Sequence, residues 1–388
     1  MRILIVGDAY SIHVRRWASY FAPRHDVYVA YLPRNQEAEV RKLFPEAEKI
    51  NIVPLGSPFR TKLKRVPREI SRKAFGGRFY MTLGLKELKR AIARIKPDIM
   101  HAHYLPDYGW LASQTGFRPL VLHMWGSTIL FRGKDKNKGL ARRMFGTADM
   151  VMAGDEPAKN RLVEFGCPPE KVMVQAWGVD TGKFRPQARS EALRKDLLDN
   201  PAQCMIVTAY ALEDFYHVET AVEAAKLLMQ KKANAKIIII GDGRERKKLE
   251  SLSSSLKVNG YVKFLGWIDH RKMHEYIASA DIYVDTFYSD KAGGGIGVAM
   301  MEAMSSGVCV VGAGVSGQHA GIVPGTNGLF FRGGDPKDLG MKLLRLVEDP
   351  EKRREFGRKS RERALAIGDW NRNMADIERK YIELAGKG

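Results

Sequence analysis

Short, unbroken apolar runs recur along this chain, each separated from the next by a stretch with helical spacing. Arg2–Val6, Asp26–Ala30 and Ile50–Val53 open the series, with an amphipathic Val14–Phe21 between the first two. A longer helical pattern, Leu83–Ile95, stops at Lys96-Pro97, and the runs Asp98–His103, Leu120–His123, Met150–Ala153 and Val172–Val174 follow. Continuous rather than alternating apolar strands, interleaved with helices, predict a parallel sheet covered on both faces. The pattern breaks after Trp177-Gly178-Val179-Asp180, where Pro, Gly and charge mix, and 183–203 reads as a linker with a short helix. It then resumes with Met205–Thr208, a helix Val218–Gln230, Lys236–Gly243, Val262–Gly266, Asp281–Val284 and Gly328–Phe331, and ends in a helix Asn371–Leu384. The expected class is therefore α/β, with two doubly wound domains, 1–182 and 204–369, facing a central cleft. Ligands of such sheets bind beyond the carboxyl ends of the strands.

Beyond Asp281–Val284 lies the most unusual stretch, Gly293–Gly307. Gly293, Gly294, Gly295 and Gly297, with Ile296 among them, read as a loop whose bare backbone can approach a ligand. The next residues are apolar or small apart from Glu302, and Gly307 suits a helix end. A lone carboxylate on a buried helix is costly unless it is paired. Either a basic side chain satisfies Glu302, or it projects towards a ligand.

Composition narrows the class. At 388 residues, with 45% hydrophobic and 28% charged positions, the chain can bury two cores and is not a disordered or fibrous protein. No apolar run reaches the ~18 residues of a membrane span, and no signal-like segment precedes the first strand, so a cytoplasmic location is expected. Cys167, Cys204 and Cys309 are scattered without metal spacing, as small core hydrophobes of a reducing compartment would be. The formal charge is +20, of which 33 Lys+Arg against 17 Asp+Glu fall in residues 1–185. An excess of that kind points to an anionic partner, with a plain solvated basic surface as the alternative.

At this point a family resemblance emerges. Ser11–Ala18, Pro97–Tyr104, Trp125-Gly126-Ser127, Trp177–Asp180 with Phe184, Ile240–Gly243, Phe264–Ile268 leading to Ala280-Asp281, the Gly293–Gly307 stretch with Glu302-Ala303-Met304, and Asn327-Gly328-Leu329 follow one another in order. Together they resemble the family 4 glycosyltransferases of the GT-B fold, over nearly the whole chain. The resemblance implies two Rossmann-like domains and a C-terminal helix, 370–388, that crosses back to the first. It also implies transfer of a sugar from a nucleotide donor to an acceptor hydroxyl with retention of configuration. The second domain would hold the donor and the first the acceptor. No cofactor and no metal are implied, and the chain has no Asp-x-Asp carboxylate pair.

Carried over residue by residue, the resemblance assigns Glu302 to the donor ribose, whose two hydroxyls a carboxylate can accept at once. The backbone of Gly294, Gly295, Ile296 and Gly297 would meet donor oxygens at a helix start. Lys291, Tyr216, His217 and Gly241 join the donor side, and Trp267 is a candidate to stack on the base, with core packing as the rival reading. His123, Trp125 and His103 are the catalytic candidates, His123 and Trp125 sharing a strand face. His13, Arg15, Arg16, Gly126 and Ser127 are assigned to the acceptor or phosphate side. Two departures stand out. The first glutamate of the family's pair falls at Gly294, and the Arg and Lys that usually clamp the diphosphate fall at Tyr210 or Ala211 and at Tyr216. Two charge-assisted contacts of that kind contribute ~1.5–3 kcal/mol each. A non-catalytic nucleotide- or sugar-binding protein on the same fold is therefore one alternative reading, and a polyanion- or membrane-interaction protein is the other.

One segment remains. Arg60, Lys62, Lys64, Arg65, Arg68, Arg72 and Lys73, interleaved with Leu63, Val66 and Ile70, form a basic amphipathic stretch. Docking on anionic membrane, where a lipid-linked acceptor would be met, is the expectation; a solvated segment is the rival. Nucleic acid is disfavoured, since no nucleic-acid module is present.

Overall fold

The structure, a computed structural model, describes residues 1–33, 40–44, 49–56, 76–125, 138–288 and 297–386, with the side chains of 76–80 and 316–317 excepted. The chain divides into two compact units: Met1–Gln175 with Met374–Gly388, and Ala176–Asn373.

The first unit is a seven-stranded sheet built from β1 (Arg2–Val6), β2 (Asp26–Tyr31), β3 (Ile50–Pro54), β4 (Ile99–His103), β5 (Leu120–His123), β6 (Met150–Ala153) and β7 (Val172–Val174). Its order is β3-β2-β1-β4-β5-β6-β7, and every pairing is parallel. The strands are short and apolar because both faces are covered. One face packs Leu88, Ala91, Leu111, Met144 and Phe145 from helices against Leu4, Met100 and Leu122. The helix Ile12–Phe21 starts where Ser11 accepts a hydrogen bond from the His13 N–H at 3.2 Å, and it buries Val14, Trp17, Ala18 and Phe21. The helix expected from Leu83 begins at Gly76, because Gly76-Gly77 enter its first turn instead of breaking it.

The second unit has six parallel strands: β8 (Cys204–Ala209), β9 (Ala235–Ile240), β10 (Val262–Gly266), β11 (Ile282–Asp285), β12 (Cys309–Gly312) and β13 (Gly328–Phe330). Their order, β10-β9-β8-β11-β12-β13, reverses direction between β8 and β11, so the carboxyl ends of those two strands flank the switch point. Met300, Met301, Ala303 and Met304 bury one face of the helix Val298–Ser305, and Gly307, at φ +72°, ends it in the left-handed conformation.

The stretch read as a linker, 183–203, is part of this second unit, and the division falls after Gln175 rather than at 182. Phe184, Leu197 and Leu198 are buried in its core. Arg194, almost fully buried, donates to Ser279 O at 2.8 Å, Gln203 O at 3.0 Å and Asp281 Oδ2 at 2.9 Å. Pro and charge in this segment mark an irregular path over the sheet, not a free tether. The terminal helix runs Trp370–Ala385, and from Met374 onward it belongs to the first unit. There Tyr381 stacks on Phe21 with ring centroids 5.2 Å apart, and Glu378 pairs with Arg24 at 2.9 Å and His25 at 2.6 Å.

Candidate functional site

In the second unit the chemistry gathers at the switch point. β8 leads into Tyr210 and β11 ends at Asp285, a residue the sequence reading passed over because it closes the apolar run Ile282–Val284. Asp285 is 2% exposed. Its Oδ1 accepts from the Tyr210 O–H at 2.6 Å and from the Phe287 N–H at 3.1 Å. Burial raises its carboxyl to about 6, against hydrogen bonds from Tyr210, Phe287 and Gln318 that favour the charged form. A methyl group placed on Gly297 would lie 3.4 Å from Asp285 Oδ2 and 3.5 Å from the Tyr210 hydroxyl. Both side chains thus face the start of the helix Val298–Ser305, for which Gly297 is the N-cap. The signal that would have found Asp285 is topological: it ends the strand that flanks the reversal in strand order.

Tyr216 stacks on Tyr210 with centroids 4.5 Å apart, and its carbonyl accepts from Thr286 Oγ1 at 2.8 Å. Where two cations were expected, the described side chains are two stacked phenols beside a carboxyl group. His217 sits in the left-handed region at φ 54°, its ring stacked on Tyr288 at 4.0 Å and its Nδ1 3.3 Å from Glu219 Oε1. It belongs to the turn leading into the helix Glu219–Gln230.

Glu302 is 3% exposed, and Oε1 lies 3.0 Å from Nε2 of His270. The pairing residue is itself 45% exposed at its side chain, so the carboxylate lies one ring below the surface. His270 was absent from the sequence expectations. The stretch Trp267–Arg271 that carries it looks like any polar loop, and only its packing against Phe184, at 5.9 Å, identifies the position.

Two donor candidates change meaning. Gly241, at φ +132°, leaves no room for a side chain: a methyl group there would lie 1.8 Å from the Tyr210 carbonyl oxygen. Its role is to let the end of β9 close on the end of β8, where its N–H also donates to Gly266 O at 2.8 Å. Trp267 is 72% exposed, which removes the core-packing rival and leaves a large aromatic face open just past β10.

In the first unit the catalytic candidates separate by depth. His103 and His123 are register partners on β4 and β5, and with His101 they are buried to 1% exposure or less. They lie under Trp17, whose ring contacts those of His101, His103 and His123 at 5.6, 5.1 and 5.1 Å. Continuous burial of β4 and β5 puts these strand-end imidazoles in the core, so His103 and His123 are corrected from substrate-contacting groups to interior ones. Burial holds all three neutral, lowering His101 and His103 well below the usual histidine range and His123 to about 3. Trp125 and His13 are half-buried at the margin of this cluster, edge to face at 5.6 Å. The Arg15 guanidinium donates to the Leu43 carbonyl at 2.9 Å and is partly desolvated, so it braces a neighbouring segment. Arg16, one position on, is half-buried on the same helix.

Gly126, Ser127, Lys291, Gly294, Gly295 and Ile296, and the basic stretch Arg60–Lys73, lie outside the described residues. Among the described residues no helix is long and apolar enough to cross a membrane.

Two doubly wound parallel sheets, with polar residues gathered at the carboxyl ends of strands, define a protein of the GT-B class. A family model described as glycosyl transferases group 1 matches residues 189–363, and another described as glycosyl transferase 4-like matches residues 2–154. Sulfoquinovosyl transferase SQD2 of Arabidopsis thaliana is 26% identical, the match covering 96% of this chain and 74% of that protein. D-inositol 3-phosphate glycosyltransferase 2 of Catenulispora acidiphila is 25% identical over 74% of this chain and 71% of its own length. Among solved structures, Anabaena Alr3699/HepE in complex with UDP superposes with a TM-score of 0.79 at 17% identity, covering 99% of this chain and 100% of that one. The two family models together span most of the sequence, and the chain belongs to the family 4-like glycosyltransferases of the GT-B fold.

Proposed function

We propose that the chain transfers a sugar from a nucleoside-diphosphate donor to an acceptor hydroxyl with retention of configuration, the second unit holding the donor. The observation that carries this reading is Glu302, a carboxylate 3% exposed whose Oε1 lies 3.0 Å from Nε2 of the partly open His270. Buried acids are paired or functional, and a carboxylate one ring below the surface can exchange an imidazole for two ribose hydroxyls. Solved complexes of the Anabaena relative with UDP and with UDP-glucose support a donor of that class.

The chemistry then asks little of the protein by way of proton transfer. The departing diphosphate takes the acceptor proton as the oxocarbenium-like state passes, and the site supplies orientation and hydrogen-bond donors. Beside the helix start the Tyr210 hydroxyl is given to Asp285, whose carboxyl, at about 6, is charged at neutral pH, so Tyr216 and the backbone N–H groups of the helix start are the donors this reading assigns to the diphosphate. The acceptor is assigned to the first unit. Its excess of cations and the amphipathic stretch Arg60–Lys73 favour an anionic acceptor, lipid-linked and met at a membrane surface from the cytoplasmic side. The name of the Catenulispora relative, which carries a phosphorylated inositol, agrees with an anionic acceptor.

Titration calorimetry with UDP and a panel of nucleotide sugars tests the reading. Glu302→Ala is expected to weaken binding of the recognised donor at least ~10-fold, the equivalent of ~1.4 kcal/mol. Binding unchanged in a variant that keeps the wild-type melting temperature would reject the assignment of Glu302 to the donor.

A further inference from the structure

Among the described residues, His101, His103 and His123 are the one group of three or more metal-capable side chains whose donor atoms converge. The sequence puts them there by simple geometry. His101 and His103 are two apart on β4 and therefore project from the same face, and His123 is the direct neighbour of His103 on β5. Interior positions of a parallel sheet are ordinarily apolar, and the opposite face here is so throughout, with Met100, Ala102, Leu120 and Leu122. Three adjacent imidazoles in such a place need a reason.

We propose that His101, His103 and His123 form a buried structural site for a divalent transition-metal ion, zinc(II) in the first place. One nitrogen from each ring lies within 4.8 Å of the other two. Tetrahedral zinc at 2.0–2.1 Å from each nitrogen needs separations of about 3.3 Å, so small ring rotations would seat three of its four ligands, with a water molecule as the fourth. The ring centroids stand 4.1, 5.4 and 5.3 Å apart, close to the ~5 Å that three imidazoles around one ion adopt. Neither nitrogen of His103 makes a hydrogen bond within the protein, and neither does Nε2 of His101. The other nitrogen of His101, Nδ1, is held by the hydroxyl of Tyr381. That is the arrangement in which an outer partner fixes the ring and leaves its second nitrogen for the metal.

The donor set selects the ion. Three neutral imidazoles, with no carboxylate in the group, suit zinc, copper, nickel or cobalt and not magnesium or calcium. Trp17 covers all three rings, so the ion is enclosed and enters as the chain folds. It would join β4 to β5 and, through Tyr381, both to the terminal helix. The site takes no part in sugar transfer and stands whatever the donor proves to be.

The experiment is to unfold the full chain in chelator, refold it with zinc(II), cobalt(II) or no metal, remove free ion and measure metal content. Roughly one zinc per chain is expected, with a higher melting temperature than the metal-free preparation. Cobalt(II) should give the visible bands of a nitrogen-ligated tetrahedral ion, without thiolate charge transfer from Cys167, Cys204 or Cys309. His103→Gln should abolish both. If that variant fails to fold, the wild-type cobalt spectrum still decides. A wild-type chain that retains no metal after refolding with zinc(II) and melts no higher than the metal-free preparation, a thiolate signature, or metal retained by a folded His103→Gln variant overturns the proposal.

Discussion

The carboxyl ends of the strands in the two sheets hold opposite kinds of buried polarity. In the first unit the polar groups are bases: three imidazoles stacked beneath Trp17 with Tyr381 behind them, all sealed from solvent. In the second they are acids: Asp285 under half-buried phenols and Glu302 under a half-exposed His270. A sealed neutral cluster can organise a core, and it can neither reach nor release a substrate. An acid one side chain below the surface can do both. Sequence spacing makes His103, His123 and Glu302 look alike as site residues, and depth tells them apart.

The sharpest way to break the contrast is to disturb the geometry of each edge with one methyl group. Gly241→Ala would bring Cβ to 1.8 Å from the Tyr210 carbonyl oxygen at φ +132°, with backbone on both sides of the clash. A loss of ~4 kcal/mol or more is expected, read as a lowered urea midpoint. Gly7→Ala, at the carboxyl end of β1, meets the Val14 Cγ2 atom at 2.9 Å and His103 Cβ at 3.3 Å, both side chain. Only ~1–2 kcal/mol should be lost there. Equal losses would mean that the second edge is no more rigid than the first.

Next in size is a pH effect belonging to the acid edge alone. Asp285 has a folded-state value of about 6 against 3.8 for the free side chain. Between those values the folded state binds more protons than the unfolded one, so stability falls as pH rises from about 4 to about 6 and is flat above. The groups facing the carboxyl are the Tyr210 hydroxyl, the Phe287 N–H and Gln318, none of which titrates in that window. Asp285→Asn should therefore be less stable than wild type at pH 4 by about 2 kcal/mol relative to their difference at pH 7, measured by urea unfolding at the two values. Curves that stay parallel would remove Asp285 from the account.

The smallest of the three belongs to the base edge. Tyr381→Phe deletes the hydroxyl that holds His101 Nδ1 and leaves a buried nitrogen without its partner. About 1–3 kcal/mol should be lost at neutral pH. A loss below ~0.5 kcal/mol would show that the imidazoles are held by packing alone.

Much of the fold was legible because buried parallel strands are written as apolar runs that neighbours cannot disguise. Ile3-Leu4-Ile5-Val6 and Ile237–Ile240 fall where periodicity puts them. The 183–203 segment misled because Pro and charge describe its backbone, while Phe184, Leu197 and Arg194 decide its packing. Glu302 was legible as an awkward carboxylate on an apolar helix. Asp285 and His270 were not, since each acquires meaning from a strand order or a partner far away in sequence. His103 and His123 show the converse: a motif can be read correctly while its depth stays hidden.

The return of Met374–Gly388 to the first unit has a consequence for synthesis. A ribosome finishes all the residues of the second unit before it releases the helix that completes the first. At 5–20 residues per second the opening sheet waits roughly 10–40 s. Through that interval Phe21 and His101 lack Tyr381, so of the two units the one begun earlier is completed later.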